Sequence, residues 1–124
     1  MVLPAATVHS AALVLSKATV RAAEQLDVRQ AQLGKLLGLS AATISRLSAG
    51  TWHLQQDTKA WELAAAFVRL YRSLAAITGG KVQAMRDWLH SANAALGGEP
   101  AQRILTAEGL FHVVRYLDAA RGRI

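Results

Sequence analysis

The sequence contains no cysteine and only two prolines among its 124 residues. Without cysteine, neither a disulfide framework nor a thiolate metal site is possible. Aromatic residues make up 6% of the chain and no alternating Val/Ile/Thr run occurs, which disfavours β-sheet. No segment approaches the ~20 apolar residues that cross a bilayer, and Lys17 and Arg21 interrupt the apolar N-terminal region, unlike in a signal peptide. These absences predict a cytoplasmic, all-α protein that does not enter a membrane.

Signatures of catalysis and of metal binding are also missing. The four histidines never occur at a ligand spacing such as His-x-x-x-His. The sequence has no Gly-x-Ser-x-Gly motif and no phosphate-binding Gly-x-x-x-x-Gly-Lys motif. We therefore expect no metal, no cofactor and no enzymatic activity.

The chain is rich in alanine and in basic residues. Apolar residues account for 52% of the sequence, many of them alanine, which favours closely packed helices. The net charge is +6, and residues 1–50 carry five basic against two acidic side chains. This distribution predicts a nucleic-acid partner for the first half and a different role for the last third.

Residues 29–50 have the pattern of two short helices joined by a tight corner. Apolar Leu33, Leu36 and Leu37 recur at helical spacing, and Gly38 follows where a helix end favours a left-handed residue. Ser40 is suited to cap a second helix, whose buried positions are Ile44 and Leu47. Two helices joined by a short turn containing glycine form a helix-turn-helix, although a plain helical hairpin has the same outline.

This segment resembles the Xre/Cro-type helix-turn-helix, in which a glutamine opening the first helix binds phosphate and the second helix reads bases. Ala41 and Ala42 stand where larger polar readers are common in that family. Base discrimination would then depend mainly on Thr43, Ser45 and Arg46. The predicted DNA-binding residues are Gln30, Ser40, Ala42, Thr43, Ser45 and Arg46.

Further helices are predicted on both sides of this motif. Apolar spacing indicates helices over residues 7–26, 58–78, 81–90, 100–105 and 106–121. Asp27 is expected to cap the first motif helix and Asp57 or Thr58 the helix at 58–78. Trp52 is expected to fill the core, with a position at the rim beside phosphate as the alternative. We expect one of the two long helices, 7–26 or 58–78, to form a homodimer contact.

A glycine pair, Gly79-Gly80, ends the longest helical pattern. Such a pair marks both a helix end and a hinge. The sequence therefore predicts a helix-turn-helix domain at 1–79 and a small helical domain at 80–124.

The second half carries the more specific signature. It contains Trp88-Leu89, Asn93, Leu96-Gly97-Gly98-Glu99-Pro100, Leu105-Thr106 and Gly109 in this order. These residues resemble the toxin-binding domain of the Xre/MbcA/ParS antitoxin family. The resemblance implies that the first domain binds promoter DNA while the second neutralises a RES-domain toxin that degrades NAD, by blocking its active site.

Most of this signature is needed to build the fold, because glycines reverse the chain and Pro100 and Thr106 begin helices. Contacts with the toxin are instead expected from polar and terminal groups. The predicted toxin-binding residues are Tyr116, Arg121, Gly122, Arg123 and Ile124. A stand-alone helix-turn-helix regulator with a C-terminal dimerisation or ligand domain is the alternative function.

Overall fold

Seven α-helices and one short 3-10 turn account for the regular structure in the computed structural model, which describes residues 5–122. The helices are α1 Ala5–Gln25, α2 Gln30–Leu37, α3 Ala41–Ala49, α4 Lys59–Thr78, α5 Val82–Leu89, α6 Pro100–Arg103 and α7 Ala107–Arg121, and the 3-10 turn is Ala94–Leu96. Residues 5–122 contain no β-strand. The predicted all-α fold is confirmed.

Helix α4 lies at the centre and contacts α1, α2, α5 and α7. Its inward face buries Phe67, Leu70 and Leu74 completely. These side chains belong to one hydrophobic core that also includes Leu26 and Leu117, from opposite ends of the sequence. Ile77 continues the same apolar spacing but is 36% exposed, so the buried stripe ends about one turn before the helix does.

The helix ends follow the capping residues that the sequence offers. Gly38 and Gly79 adopt left-handed conformations (φ 69° and 67°) after α2 and α4. The hydroxyl of Thr58 accepts a hydrogen bond from the Trp61 N–H at 3.2 Å, and it is therefore Thr58 rather than Asp57 that caps α4. Thr106 caps α7 in the same way, and Pro100 is the first residue of α6.

Asp27 does not cap α2, contrary to prediction. It adopts φ 55° just after α1, and Arg29 is the residue that precedes α2. The Arg29 N–H donates to Oε1 of Gln32 at 3.0 Å. The side chain of Gln32, in the first turn of α2, therefore accepts the hydrogen bond of the cap residue's backbone N–H. Asp27 lies two positions before the cap residue Arg29, which places its carboxylate outside capping geometry.

The C-terminal end of α1 is held by side chains from α5. Arg86 donates from Nε to the carbonyl oxygen of Gln25 at 2.9 Å and from a terminal nitrogen to that of Glu24 at 3.1 Å. Nε2 of His90 lies 2.8 Å from the carbonyl oxygen of Leu26 and, because a carbonyl only accepts, this nitrogen donates. These contacts satisfy carbonyl groups that a helix end leaves without intrahelical partners.

A second polar link joins α4 to α7 through Asp118. Its Oδ1 accepts from the hydroxyl of fully buried Ser73 at 2.9 Å, and its Oδ2 pairs with Arg69 at 2.8 Å. The Arg69 side chain is 67% exposed, so solvent screens that ion pair. The bond from Ser73 matters more, because without it a buried hydroxyl would lack a partner.

Helices α6 and α7 approach each other so closely at Gly109 that a side chain does not fit. A Cβ placed there would overlap the backbone carbonyl oxygen of Arg103 and lie 2.7 Å from its carbonyl carbon. Backbone atoms cannot rotate away as a flexible side chain can, so the α6–α7 turn would have to open.

We expect Gly109→Ala to lower the free energy of unfolding by about 1–3 kcal/mol through this overlap, despite the higher helix propensity of alanine. Gly122→Ala is the matched control, because Gly122 has φ −66° and its added Cβ would meet no atom nearer than 3.5 Å. Urea unfolding followed by circular dichroism measures both. Equal stability of the two variants would contradict the close contact.

Candidate DNA-binding and partner-binding surfaces

Helices α2 and α3 form a fixed pair because they meet at a glycine. Gly34 is buried, and a Cβ added to it would lie 3.1 Å from the carbonyl oxygen of Leu39 and 3.5 Å from Cγ1 of Ile44. Ile44 and Leu47 anchor α3 in the core, as predicted, with 0% and 3% exposure. The pair therefore presents the opposite face of α3 to solvent as one rigid surface.

Three of the predicted DNA-contacting residues lie on that outer face of α3. Ala42, Ser45 and Arg46 are exposed. The backbone carbonyl of Arg46 accepts from the N–H groups of Thr51 (2.9 Å) and Trp52 (3.3 Å), so its main chain is fixed while its side chain is solvent-exposed. The structure thus brings one long cation and one hydroxyl together on the helix surface.

Ser40 and Thr43 are occupied with each other at the start of α3. The Ser40 hydroxyl accepts from the Thr43 N–H at 3.2 Å and donates to the Thr43 hydroxyl at 2.9 Å. Thr43, predicted to face outward, is half-buried. Because the Ser40 hydrogen is used in the cap, the hydroxyl hydrogen of Thr43 is the one left to donate outward.

Gln30 is exposed at the first residue of α2, where the N–H groups of a helix start have no intrahelical acceptor. It lies beside Ser48 of α3 and Glu24 of α1, which line the same 100 Å³ groove. The start of α2 and the C-terminal half of α3 therefore share one side of the molecule.

Trp52, in the loop after α3, is half-buried and packs against the hydrophobic core. It therefore lies at the edge of the core and does not fill it as predicted. An aromatic ring in contact with buried side chains limits how far the loop can move.

The C-terminal half presents an aromatic pair. The rings of Trp88 on α5 and Tyr116 on α7 are stacked, with centroids 6.3 Å apart and planes inclined at 23°. Tyr116 is 38% exposed, whereas Trp88 is half-buried against the core. Trp88 thus supports one face of Tyr116 and fixes the direction in which its ring projects.

The other predicted partner-binding residues lie further along α7. Arg121 is its last residue, about 7.5 Å along the helix axis from Tyr116, and Arg121 and Gly122 are both exposed. Arg123 and Ile124 lie outside the described residues. Gly122 ends α7 in a right-handed conformation (φ −66°), so the turn does not require glycine there.

Two open grooves flank α4 on its outer side. The larger, 640 Å³, lies between α4 and α7 and is lined by Glu62, Arg69, Phe111 and Arg115 among others. The smaller, 250 Å³, lies between α1 and α4 and includes Val14, which is 65% exposed. Phe111 is 39% exposed. Each groove therefore includes one large apolar side chain that is exposed at the surface.

The residues that the structure describes contain neither a metal-binding cluster nor a membrane-spanning helix. Among residues 5–122, no three His, Cys, Asp or Glu side chains cluster in a way that could hold a metal ion. Within the same residues, no helix is both long and apolar enough to cross a membrane.

Comparison with protein families gives one match for each half of the chain. The antitoxin Xre-like helix-turn-helix domain matches residues 5–69, which include α2, α3 and the exposed face of α3. The antitoxin Xre/MbcA/ParS C-terminal toxin-binding domain matches residues 73–123, which include Trp88 and Tyr116. The chain belongs to the Xre/MbcA/ParS antitoxin family. No curated protein matches it significantly.

The family places a DNA-binding unit and a toxin-binding unit in one antitoxin chain. The matched ranges meet between residues 69 and 73, inside α4. The boundary at residues 79 and 80 stays a prediction. In this antitoxin the two units share α4 and one core.

Sequence reasoning missed the side chains that connect these units. Arg86 and His90 are one helical turn apart, a spacing that is visible in the sequence, but their partners are backbone carbonyls more than sixty positions away. The support that Trp88 gives to Tyr116 was also missed, because the two residues lie on different helices and no local spacing relates them.

Proposed function

We propose that this antitoxin represses its own promoter through α2 and α3 and neutralises a RES-domain, NAD-degrading toxin through its C-terminal unit. The observation that carries the proposal is that one chain contains both matched units, each with an exposed candidate surface. The protein would act in the cytoplasm, as a binding protein rather than an enzyme.

The exposed face of α3 supports DNA binding. Arg46 is long enough to form two hydrogen bonds with a guanine edge in the major groove, and Ser45 beside it can donate to a base or a phosphate. Gln30, at the start of α2, is placed to bind a backbone phosphate, which carries no sequence information. Because Ala41 and Ala42 offer only methyl groups, base readout is concentrated on few side chains.

We expect Arg46→Ala to weaken binding to the promoter by about 1–3 kcal/mol while leaving binding to unrelated DNA less affected. Gln30→Ala should weaken binding to both DNAs alike. Gel shifts of the promoter and of an unrelated duplex, at several salt concentrations, measure the two effects. Wild-type affinity in both variants would remove α2 and α3 as the DNA-binding surface.

The end of α7 supports a toxin contact that combines a firm surface with a short extension. Tyr116 is held by Trp88, and exposed Arg121 and Gly122 lead into Arg123 and Ile124. A cleft that accepts the anionic pyrophosphate of NAD is expected to be cationic, so the two arginines would pair with acidic groups at its rim.

We expect deletion of Arg121–Ile124 to restore NAD degradation by the proposed RES-domain toxin, while some complex still forms through Tyr116. Replacing the same four residues by Gly-Ser-Gly-Ser keeps the length and tests their chemistry. NAD consumption and co-purification are the measurements, with DNA binding as the check on folding. Full inhibition by the deletion variant would assign inhibition to the folded surface, and no complex with wild type would favour the stand-alone regulator.

The outer side of α4 supports a homodimer. Val14 and Phe111 are exposed there, and Glu62 lies on the same side as Arg69 and Arg115. In a twofold-symmetric contact each patch meets its own copy, so a patch with both signs of charge can pair with itself. Two helix-turn-helix units would also reach two half-sites about 34 Å apart, as dimeric repressors of this type do.

We expect Val14→Glu to convert the dimer into a monomer, because it would place a carboxylate in an apolar contact. Val14 is 65% exposed in the single chain, so the substitution should leave the fold intact. Gln102→Glu, at an exposed position on α6, adds the same charge as a control. Light scattering at micromolar concentration measures the mass. A monomeric wild-type protein would overturn the proposed homodimer.

A further inference from the structure

The loop that follows the candidate recognition helix has no cation of its own. Residues 50–58 contain no Lys or Arg, and their one acidic residue is Asp57. In helix-turn-helix complexes the elements beside the recognition helix cross the DNA backbone. Phosphate contacts are made mostly by Lys and Arg and supply most of the sequence-independent affinity. At this end of α3, such cations would have to come from another element.

Helix α1 brings two basic side chains to this place. A 640 Å³ groove separates α1 from the end of α3, and Lys17 and Arg21 line one wall of it. Ser48, Gly50 and His53 line the other wall. The basic pair therefore lies beside the loop that lacks Lys and Arg.

A buried hydrogen bond joins α1, which forms one wall, to the loop after α3, which forms part of the other wall. The N–H of Leu54, in the loop, donates to the hydroxyl of Ser16 at 2.9 Å, and both residues are buried. Ser16 is the immediate neighbour of Lys17. The position of Lys17 relative to the end of α3 is thus fixed by backbone structure, not by a flexible linker.

Lys17 and Arg21 are also available to a ligand. Both are exposed, they are one helical turn apart, and neither forms an ion pair within residues 5–122. One acidic residue, Glu24, lies further along the same groove. Its carboxylate disfavours phosphate near the C-terminal end of α1, so the favourable region is the end where Lys17 lies.

The same rim continues to the start of α2. Glu24 and Ser48 line a second, smaller groove that includes Gln30, the candidate phosphate ligand. Gln30, Arg21 and Lys17 thus follow one another along one side of α3. A duplex that meets α3 and Gln30 would run past the basic pair.

We propose that Lys17 and Arg21 form a second phosphate-binding site for duplex DNA, at the end of α3 opposite its capped start. This inference rests on the proposed DNA-binding function. The site adds affinity without base specificity, and it provides the cations that the loop at residues 50–58 lacks.

The test compares two double variants that remove the same charge. Lys17→Gln/Arg21→Gln changes the proposed site, and Lys81→Gln/Arg103→Gln changes two exposed positions in the C-terminal half. Binding of each to the promoter and to an unrelated duplex is measured across a salt series. For the first variant, the slope of log affinity against log salt should fall by about 1.8 per protomer, about 0.9 for each lost phosphate contact. The loss should be equal on the two duplexes, and the control slope should match wild type.

Each remaining outcome overturns the inference in a distinguishable way. If wild type binds DNA and both double variants give the wild-type slope, Lys17 and Arg21 do not contact DNA. The proposed DNA-binding role of α3 is then unaffected. A change in molecular mass without a change in slope would assign Lys17 and Arg21 to the dimer contact. Wild-type protein that binds neither duplex would remove the inference together with the proposed DNA-binding function.

Discussion

Burial of the apolar face of α4 is the constraint on which both halves of this antitoxin depend. Phe67, Leu70 and Leu74 are completely buried by α4's contacts with α1, α2, α5 and α7. A chain of this size has only enough apolar surface for a modest core. Sharing one helix lets the helix-turn-helix unit and the toxin-binding unit use the same core, so each unit contributes to the stability of the other.

The shared core is reinforced where α5 meets the end of α1. Arg86 donates to the last two carbonyls of α1 and His90 donates to the next one, that of Leu26, and the chain enters α2 only a few residues later. Trp88, between them in sequence, supports Tyr116 on the candidate toxin surface. One short helix therefore contacts both the segment that precedes the helix-turn-helix and a residue of the candidate toxin surface. The helix-turn-helix and the candidate toxin surface are far apart in sequence, and they are connected by packing and hydrogen bonds.

Much of the fold and part of the candidate sites could be predicted from local patterns. Gly38, Ser40, Thr58, Gly79, Pro100 and Thr106 mark helix ends correctly, because capping depends on residues within one turn of each other. Ile44 and Leu47 were correctly assigned to the core for the same reason. Asp27 failed as a cap because Arg29 and Gln32 satisfy that position instead. Ile77 continues the apolar spacing of α4 and is nevertheless exposed, because periodicity identifies a face of a helix and not how far a neighbour covers it.

By itself, the sequence determined the helical class, the helix-turn-helix, the helix ends and the likeness to an antitoxin, since each follows from residue types at short, fixed spacings. Tertiary structure alone decided which charged side chains meet distant backbone, as Arg86 does at α1, and which remain open to a ligand, as Lys17 and Arg21 do beside the loop at residues 50–58. The physical reason is range. Capping and helical periodicity act over a few residues, whereas the surroundings of a surface cation are set by how helices far apart in sequence pack around the common core.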